Sequence, residues 1–356
     1  MGLVQRTKEE CIELLRRTDT KVEAGQKVRT DVFQPQDAEN VARLYYAIYG
    51  DNFPLDYVYD PDRLRAANAG PDVQMFVGRT ESGDVVGLAG LYRSAPGKGA
   101  VESGGLMVLP DYRNGFLALR LTKMTYVAAR DELQVNMLFG QSVTDETTMQ
   151  KVNRKYDMRE LALEVESMPP KRNSDARISL LCEFTIFRDL PHTVYPHPAY
   201  EDYLRDAYEQ LDVEREFASG VDREIALAEG PAGTTDCAFT SMDNSGTAKI
   251  QVASLGADLP DRLAELEALH PGMHAYHAQL PLSDPGLPWA VERAWERGYV
   301  LGGLLPLWTD RDVLLLQKFA SRPDFSAPKL LGDDTKALLE SIRKEYEART
   351  AGTGRP

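Results

Sequence analysis

A chain of 356 residues is too long for one ordinary hydrophobic core and suits two domains. Its 43% hydrophobic and 27% charged residues are those of a globular protein, and no run of about 18 apolar residues offers a membrane span. The net charge of −14 argues against nonspecific nucleic-acid binding and is compatible with a cationic or amine-bearing acceptor.

Cys11, Cys182 and Cys237 are few, odd in number and widely spaced, which fits a reducing compartment and neither a disulfide framework nor a zinc site. The first residues lack the apolar core of a secretory signal, so a cytoplasmic protein is expected.

In chain order, residues 7–24 read as a leading helix, and Val28 to Phe33 alternates as a strand. Asp37 is placed to cap a helix carrying Ala38, Val41, Ala42, Tyr45, Ile48 and Tyr49 at helical spacing. The stretch 51–72 is aromatic, acidic and full of turn signals. Strands at 74–79 and 85–93 are joined by a hairpin, and a third covers about 100–108. A helix after Arg113 buries Leu117, Leu121, Met124 and Ala128. Strand 135–143, helix 146–155 and strand 158–166 follow. After the Pro-punctuated linker 169–176, the second half repeats this grammar. Its strands are expected at 178–187, near 223–229, and at 236–242, 247–255, 273–280, 299–306 and 313–319. Its helices are expected at 199–211, 261–270, 289–297 and 334–349.

The most informative run is Gly105 to Ala118. An apolar strand ends at Pro110, passes through Asp111-Tyr112-Arg113-Asn114-Gly115, and enters an amphipathic helix. Such a strand–turn–helix aims backbone N–H groups at an anion, and Arg113 adds a fixed charge suited to a pyrophosphate. The run resembles the cofactor motif of the GCN5-related N-acetyltransferases (GNAT), V-x-P-x-x-[RQ]-x-x-G-x-[GA]. Val108, Pro110, Arg113 and Ala118 match it. Phe116 stands where the family usually has Gly, with Gly115 one residue earlier.

This resemblance implies an α/β GNAT fold, a mixed central sheet flanked by helices, over residues 27–168. A degenerate GNAT-like copy is expected in tandem over 177–330, between an N-terminal extension, 1–26, and a C-terminal helix and tail, 331–356. The second copy's turn, Gly256 to Arg262, lacks the motif and carries acids. The activity implied is N-acyl transfer from acetyl-CoA or another acyl-CoA, or from the phosphopantetheine of an acyl carrier protein. The acceptor would be an amine of a small molecule or peptide, and the protein a monomer or homodimer. Leu106, Met107, Val108, Arg113, Asn114, Gly115, Phe116, Leu117 and Ala118 would hold the cofactor, with the pantetheine slotted between the strand ending at Val108 and the one holding Leu138 to Ser142.

Glu102, six residues before Val108, stands where the family often keeps its general base, and strand parity puts it on the face of Gly104, Leu106 and Val108. The family's leaving-group Tyr is replaced by Asn153, with Tyr156 close by. Tyr45, Tyr49, Asp51 and Tyr57 form an aromatic and acidic surface suited to an ammonium. His270, His274 and His277 lack the companions of a metal site and read as structural. No Gly-x-Ser-x-Gly elbow or P-loop appears; Pro96 to Gly99 is a turn. The competing function is a pseudoenzyme that binds an acyl-CoA or a partner without turnover.

Overall fold

The computed structural model describes residues 6–18, 21–53, 55–170, 175–218, 230–242 and 245–351. The chain divides into two compact units. One comprises Met1–Ala95 and Val101–Leu138, the other Pro96–Ala100 and Phe139–Pro356.

The first unit is an antiparallel sheet in the order β1 (Val28–Val32), β2 (Val73–Thr80), β3 (Val85–Tyr92) and β4 (Ala100–Val108). On one face lie α1 (Lys8–Thr18), α2 (Ala38–Tyr49) and α3 (Pro61–Ala69). Cys11, Leu15, Val41, Tyr45 and Leu64 from these helices share a core with Met75, Leu88 and Met107 of the sheet. The other face takes α4 (Leu117–Val127), whose Leu117 and Leu121 press on Gly78 and Gly87; a β-carbon on Gly87 would come within 2.9 Å of Leu117. A one-turn π segment, Ala128–Glu132, continues α4.

Three local expectations are corrected here. The leading helix is shorter than 7–24: residues 21–24 are not helical, and 19–20 lie outside the described residues. Asp37 precedes α2 but does not cap it; its carboxylate instead accepts from the Gln34 N–H at 2.6 Å and from the Arg79 guanidinium. The 51–72 stretch contains α3, started by Asp60, which accepts from the Asp62 N–H at 2.9 Å, and by Pro61 in the first turn.

β4 is not a regular strand. Gly87 pairs with Val108 and Leu88 with Met107, but Gly90 pairs with Gly104 and Tyr92 with Glu102. One extra residue has been inserted on β4, a bulge at Gly105, whose φ of 63° suits glycine. Parity therefore changes within the strand. Glu102, Gly104 and Met107 share the α2 face, while Ser103 and Val108 share the α4 face. Ser103 confirms this by bonding Thr125 of α4 at 2.8 Å. The parity argument that placed Glu102 with Val108 fails for this reason, whereas its pairing with Gly104 holds.

The second unit carries β5 (Met137–Val143, from Phe139 on), β6 (Arg159–Met168) and β7 (Ile178–Ile186), with α5 (Thr148–Asn153) between β5 and β6. A two-stranded parallel pair, β8 (His192–Val194) and β9 (Arg215–Phe217), flanks α6 (Glu201–Leu211). Next come β10 (Asp236–Met242), β11 (Thr247–Ser254), α7 (Leu259–Leu269), β12 (Ala275–Pro281), α8 (Leu287–Glu296), β13 (Val300–Leu305), β14 (Val313–Phe319) and α9 (Asp333–Thr350). The expected strand near 223–229 lies outside the described residues, as do 171–174 of the linker.

The spatial order is β5-β7-β6-β13-β14-β12-β11-β10. Each half contributes a strand, a helix and a hairpin whose last strand inserts between the other two, so β5-β7-β6 is mirrored by β13-β14-β12. Ile178–Ile186, expected to open the second half, is thus the inserted strand of the first. β6 and β13 meet at a single pair, Ala162 with Gly303. Beyond it the buried Gln317 substitutes for a ladder. Its carbonyl accepts from Val165 N–H at 2.9 Å, and its amide donates to Leu163 O at 3.1 Å and Leu301 O at 2.9 Å.

Candidate functional site

At the end of β4, Leu109 and Pro110 enter a tight turn in which Tyr112 N–H bonds Leu109 O and Arg113 N–H bonds Pro110 O. Arg113 folds back, its Nε donating to Val108 O at 2.9 Å, which fixes an exposed guanidinium beside the strand end. Asn114, Gly115 and Phe116 are exposed, and Phe116 is 78% exposed. Gly115 has an ordinary φ, and a β-carbon there would meet nothing nearer than Tyr112 O at 4.0 Å. α4 then begins with no side-chain cap and no acid in its first turn. A helix start without a competing carboxylate carries the partial positive charge that an anion needs. Leu117 is buried and Ala118 half-buried. Of the predicted cofactor residues, Arg113 to Phe116 present polar groups and open space, whereas Met107, Val108 and Leu117 are core.

On the α2 face, the structure gathers a second group. Tyr92 lies directly across from Glu102 in the β3–β4 ladder. Its hydroxyl hydrogen-bonds that of Tyr45, and Tyr57, Tyr49 and Glu102 are its electrostatic neighbours. Burial pushes the phenols of Tyr45, Tyr49, Tyr57 and Tyr92 above their ordinary pKa, so all four stay neutral. Ser94 Oγ donates to Glu102 at 2.5 Å. Arg113 lies within electrostatic reach of Tyr49. Phe53 completes the wall, its ring 4.9 Å from those of both Tyr45 and Tyr49. Asp51 is exposed and lies within electrostatic reach of Arg16 and Tyr59. Tyr92 was missed in the sequence, since only strand register reveals its position across from Glu102.

Asn153 and Tyr156 belong to the second unit. Asn153 is buried, its amide donating to Glu183 at 2.6 Å and Ser142 at 3.2 Å, while Ser142 also donates to Glu183. An amide spent on two buried partners is poorly placed to protonate a thiolate, so Asn153 is a structural donor here. Tyr156 is half-buried in the turn after α5, its carbonyl accepting from Thr185 at 3.3 Å, and burial raises its phenol pKa. The three histidines go separate ways. His270 stacks on Phe239 at 4.1 Å, and His274 pairs with Glu166 at 2.7 Å. His277 is fully buried, with its Nδ1 3.7 Å from Glu164.

The matching turn of the second half is filled from within. Asp258 accepts from Thr235 N–H at 2.6 Å, Thr235 Oγ1 accepts from Gly256 N–H at 3.1 Å, and a β-carbon on Gly256 would collide with the 234–235 backbone. An anion there would have to displace a carboxylate.

The first unit is an antiparallel sheet and the second a mixed sheet, each flanked by helices, and the second half of the chain repeats part of the first half's order of elements. In structure the chain is similar to the spermidine N-acetyltransferase of Vibrio cholerae (10% identity, TM-score 0.38, 45% of this chain and 94% of that one). It is similar to a putative acetyltransferase of Salmonella typhimurium solved with acetyl-CoA (14%, 0.39, 46% and 96%). The ribosomal-protein-S5-alanine acetyltransferase of Vibrio fischeri is also similar (11%, 0.39, 48% and 98%). No family model and no curated protein matches the sequence. Among the described residues no helix is long and apolar enough to cross a membrane.

Proposed function

We propose that the chain is an N-acyltransferase that moves an acyl group from coenzyme A to an amine. The observation that carries this reading is β4 itself. Its end leads into a turn with a tethered guanidinium and an uncapped, acid-free helix start, while across its bulge Glu102 stands among neutral phenols. The turn fits a diphosphate by charge, by open space at Gly115 and by the absence of a competing acid. Arg113 and the backbone of 114–118 would hold that group, and the donor would supply the thioester carbon.

The protein's own part in the chemistry is proton management and orientation. An ammonium has no lone pair, so Glu102 takes a proton from the acceptor, directly or through one water. The amine nitrogen then bonds to the thioester carbon and gives up its second proton to solvent, the carbon–sulfur bond breaks, and the sulfur takes a proton from solvent and leaves as the thiol. Tyr49 and Tyr57 present ring faces and hydroxyls to the cation before it is deprotonated, with the buried Tyr45 beneath them. The second half is the copy that does not bind, because Thr235 and Asp258 occupy its turn.

Thiol release from acetyl-CoA and longer acyl-CoAs, measured against a panel of small amines and peptides, tests the reading. Amine-dependent release supports it. Donor binding by calorimetry without release under any acceptor would establish the binding-only alternative, and no donor binding would remove both. The same assay with a loaded acyl carrier protein decides between donors.

A further inference from the structure

Glycines clear a space on the α2 face of β3 and β4, and one side chain fills it. A β-carbon built on Gly90 would lie 2.5 Å from the Tyr92 hydroxyl, and one on Gly105 would lie 2.8 Å from it and 3.6 Å from the Tyr45 hydroxyl. On Gly104 it would meet Glu102 at 2.9 Å and the Tyr92 ring at 3.6 Å. The Tyr92 ring therefore lies flat along the strands, its hydroxyl over the bulge and its neighbour across the ladder the carboxylate of Glu102.

The room that three absent side chains would leave above the bulge is limited by one aromatic ring. Tyr45, Tyr49, Tyr57 and Glu102 are electrostatic neighbours of Tyr92.

We infer that Tyr92 sizes the acceptor, and that the seat takes a compact primary amine. This rests on the transferase reading above and adds the substrate class. Tyr92 acts as a specificity residue: its ring bounds the seat from the β3 side, while Glu102 handles the proton.

The test uses the full chain with acetyl-CoA and two acceptors, butylamine and phenethylamine. The wild type should favour butylamine in kcat/KM. Tyr92→Ala should raise the phenethylamine-to-butylamine ratio about tenfold or more, and Tyr92→Phe, which keeps the ring, should move it less than about threefold. Acetyl-CoA affinity and a thermal melt show that each variant is folded, and Tyr92→Leu replaces the Ala variant if that fails to fold. An unchanged ratio in a folded, donor-binding Ala or Leu variant overturns the inference, as does a wild type that prefers phenethylamine. Absence of thiol release from the wild type with every amine overturns the transferase reading instead.

Discussion

The side-chain amide of Asn153 donates to Glu183 at 2.6 Å, and Glu183 is fully buried. Burial is the main cause that lifts this carboxyl from its ordinary 4.5 to about 7, only partly offset by the bonds from Ser142 and Asn153. Between those values the folded chain holds a proton that the unfolded chain has released, so this group costs stability as pH rises through the window. The full cost is on the order of 3 kcal/mol. His277 runs the other way, because burial pulls it down to about 4 and its contribution grows as pH climbs toward its ordinary 6.5. A single substitution separates the two. Glu183→Gln should melt progressively higher relative to wild type from pH 5 to pH 8, and calorimetric melts across that range check the slope.

Arg113 reaches back to Val108 O, and among the described residues its guanidinium has no carboxylate within ion-pair distance. Arg113→Ala should weaken acetyl-CoA binding about tenfold to a hundredfold, the worth of a charge-assisted bond to phosphate, with a smaller effect on kcat. Titration calorimetry reads this directly, and unchanged affinity would take Arg113 out of the donor site.

Glu102→Gln should lower kcat by a factor on the order of 10² to 10⁴ at neutral pH. The deficit should shrink at alkaline pH, where the amine sheds its proton without help. A rate that does not move, or a deficit that stays constant with pH, assigns the proton elsewhere.

Gln317 completes three backbone hydrogen bonds where β6 and β13 no longer pair. Gln317→Leu fills the same volume but strands those groups, at a cost of about 3 kcal/mol or more. Chemical denaturation of the variant measures it.

Much of the element order was legible because helical stripes such as Leu117, Leu121 and Met124, and the alternation around β2 and β3, are local signals. The Arg113 turn was legible for the same reason. The face of Glu102 was not, because a bulge is set by which residues pair across strands, and Gly104-Gly105 could have continued a regular ladder. Asn153 could be placed on its helix but not assigned its partners, since Ser142 and Glu183 come from strands 11 and 30 residues away. Ile178–Ile186 read correctly as a strand, yet its insertion between β5 and β6 depends on long-range pairing that alternation does not encode.

The irregularity at Gly105 works as a phase shift along β4. Removing that one residue would restore a plain alternation, but every side chain upstream would then change sides relative to Met107 and Val108. Glu102 would turn toward α4 and Ser103 toward the tyrosines, leaving a carboxylate in the helix interface and a small alcohol where the acid now stands. A strand of this kind tolerates exchanges of residue more readily than changes of length.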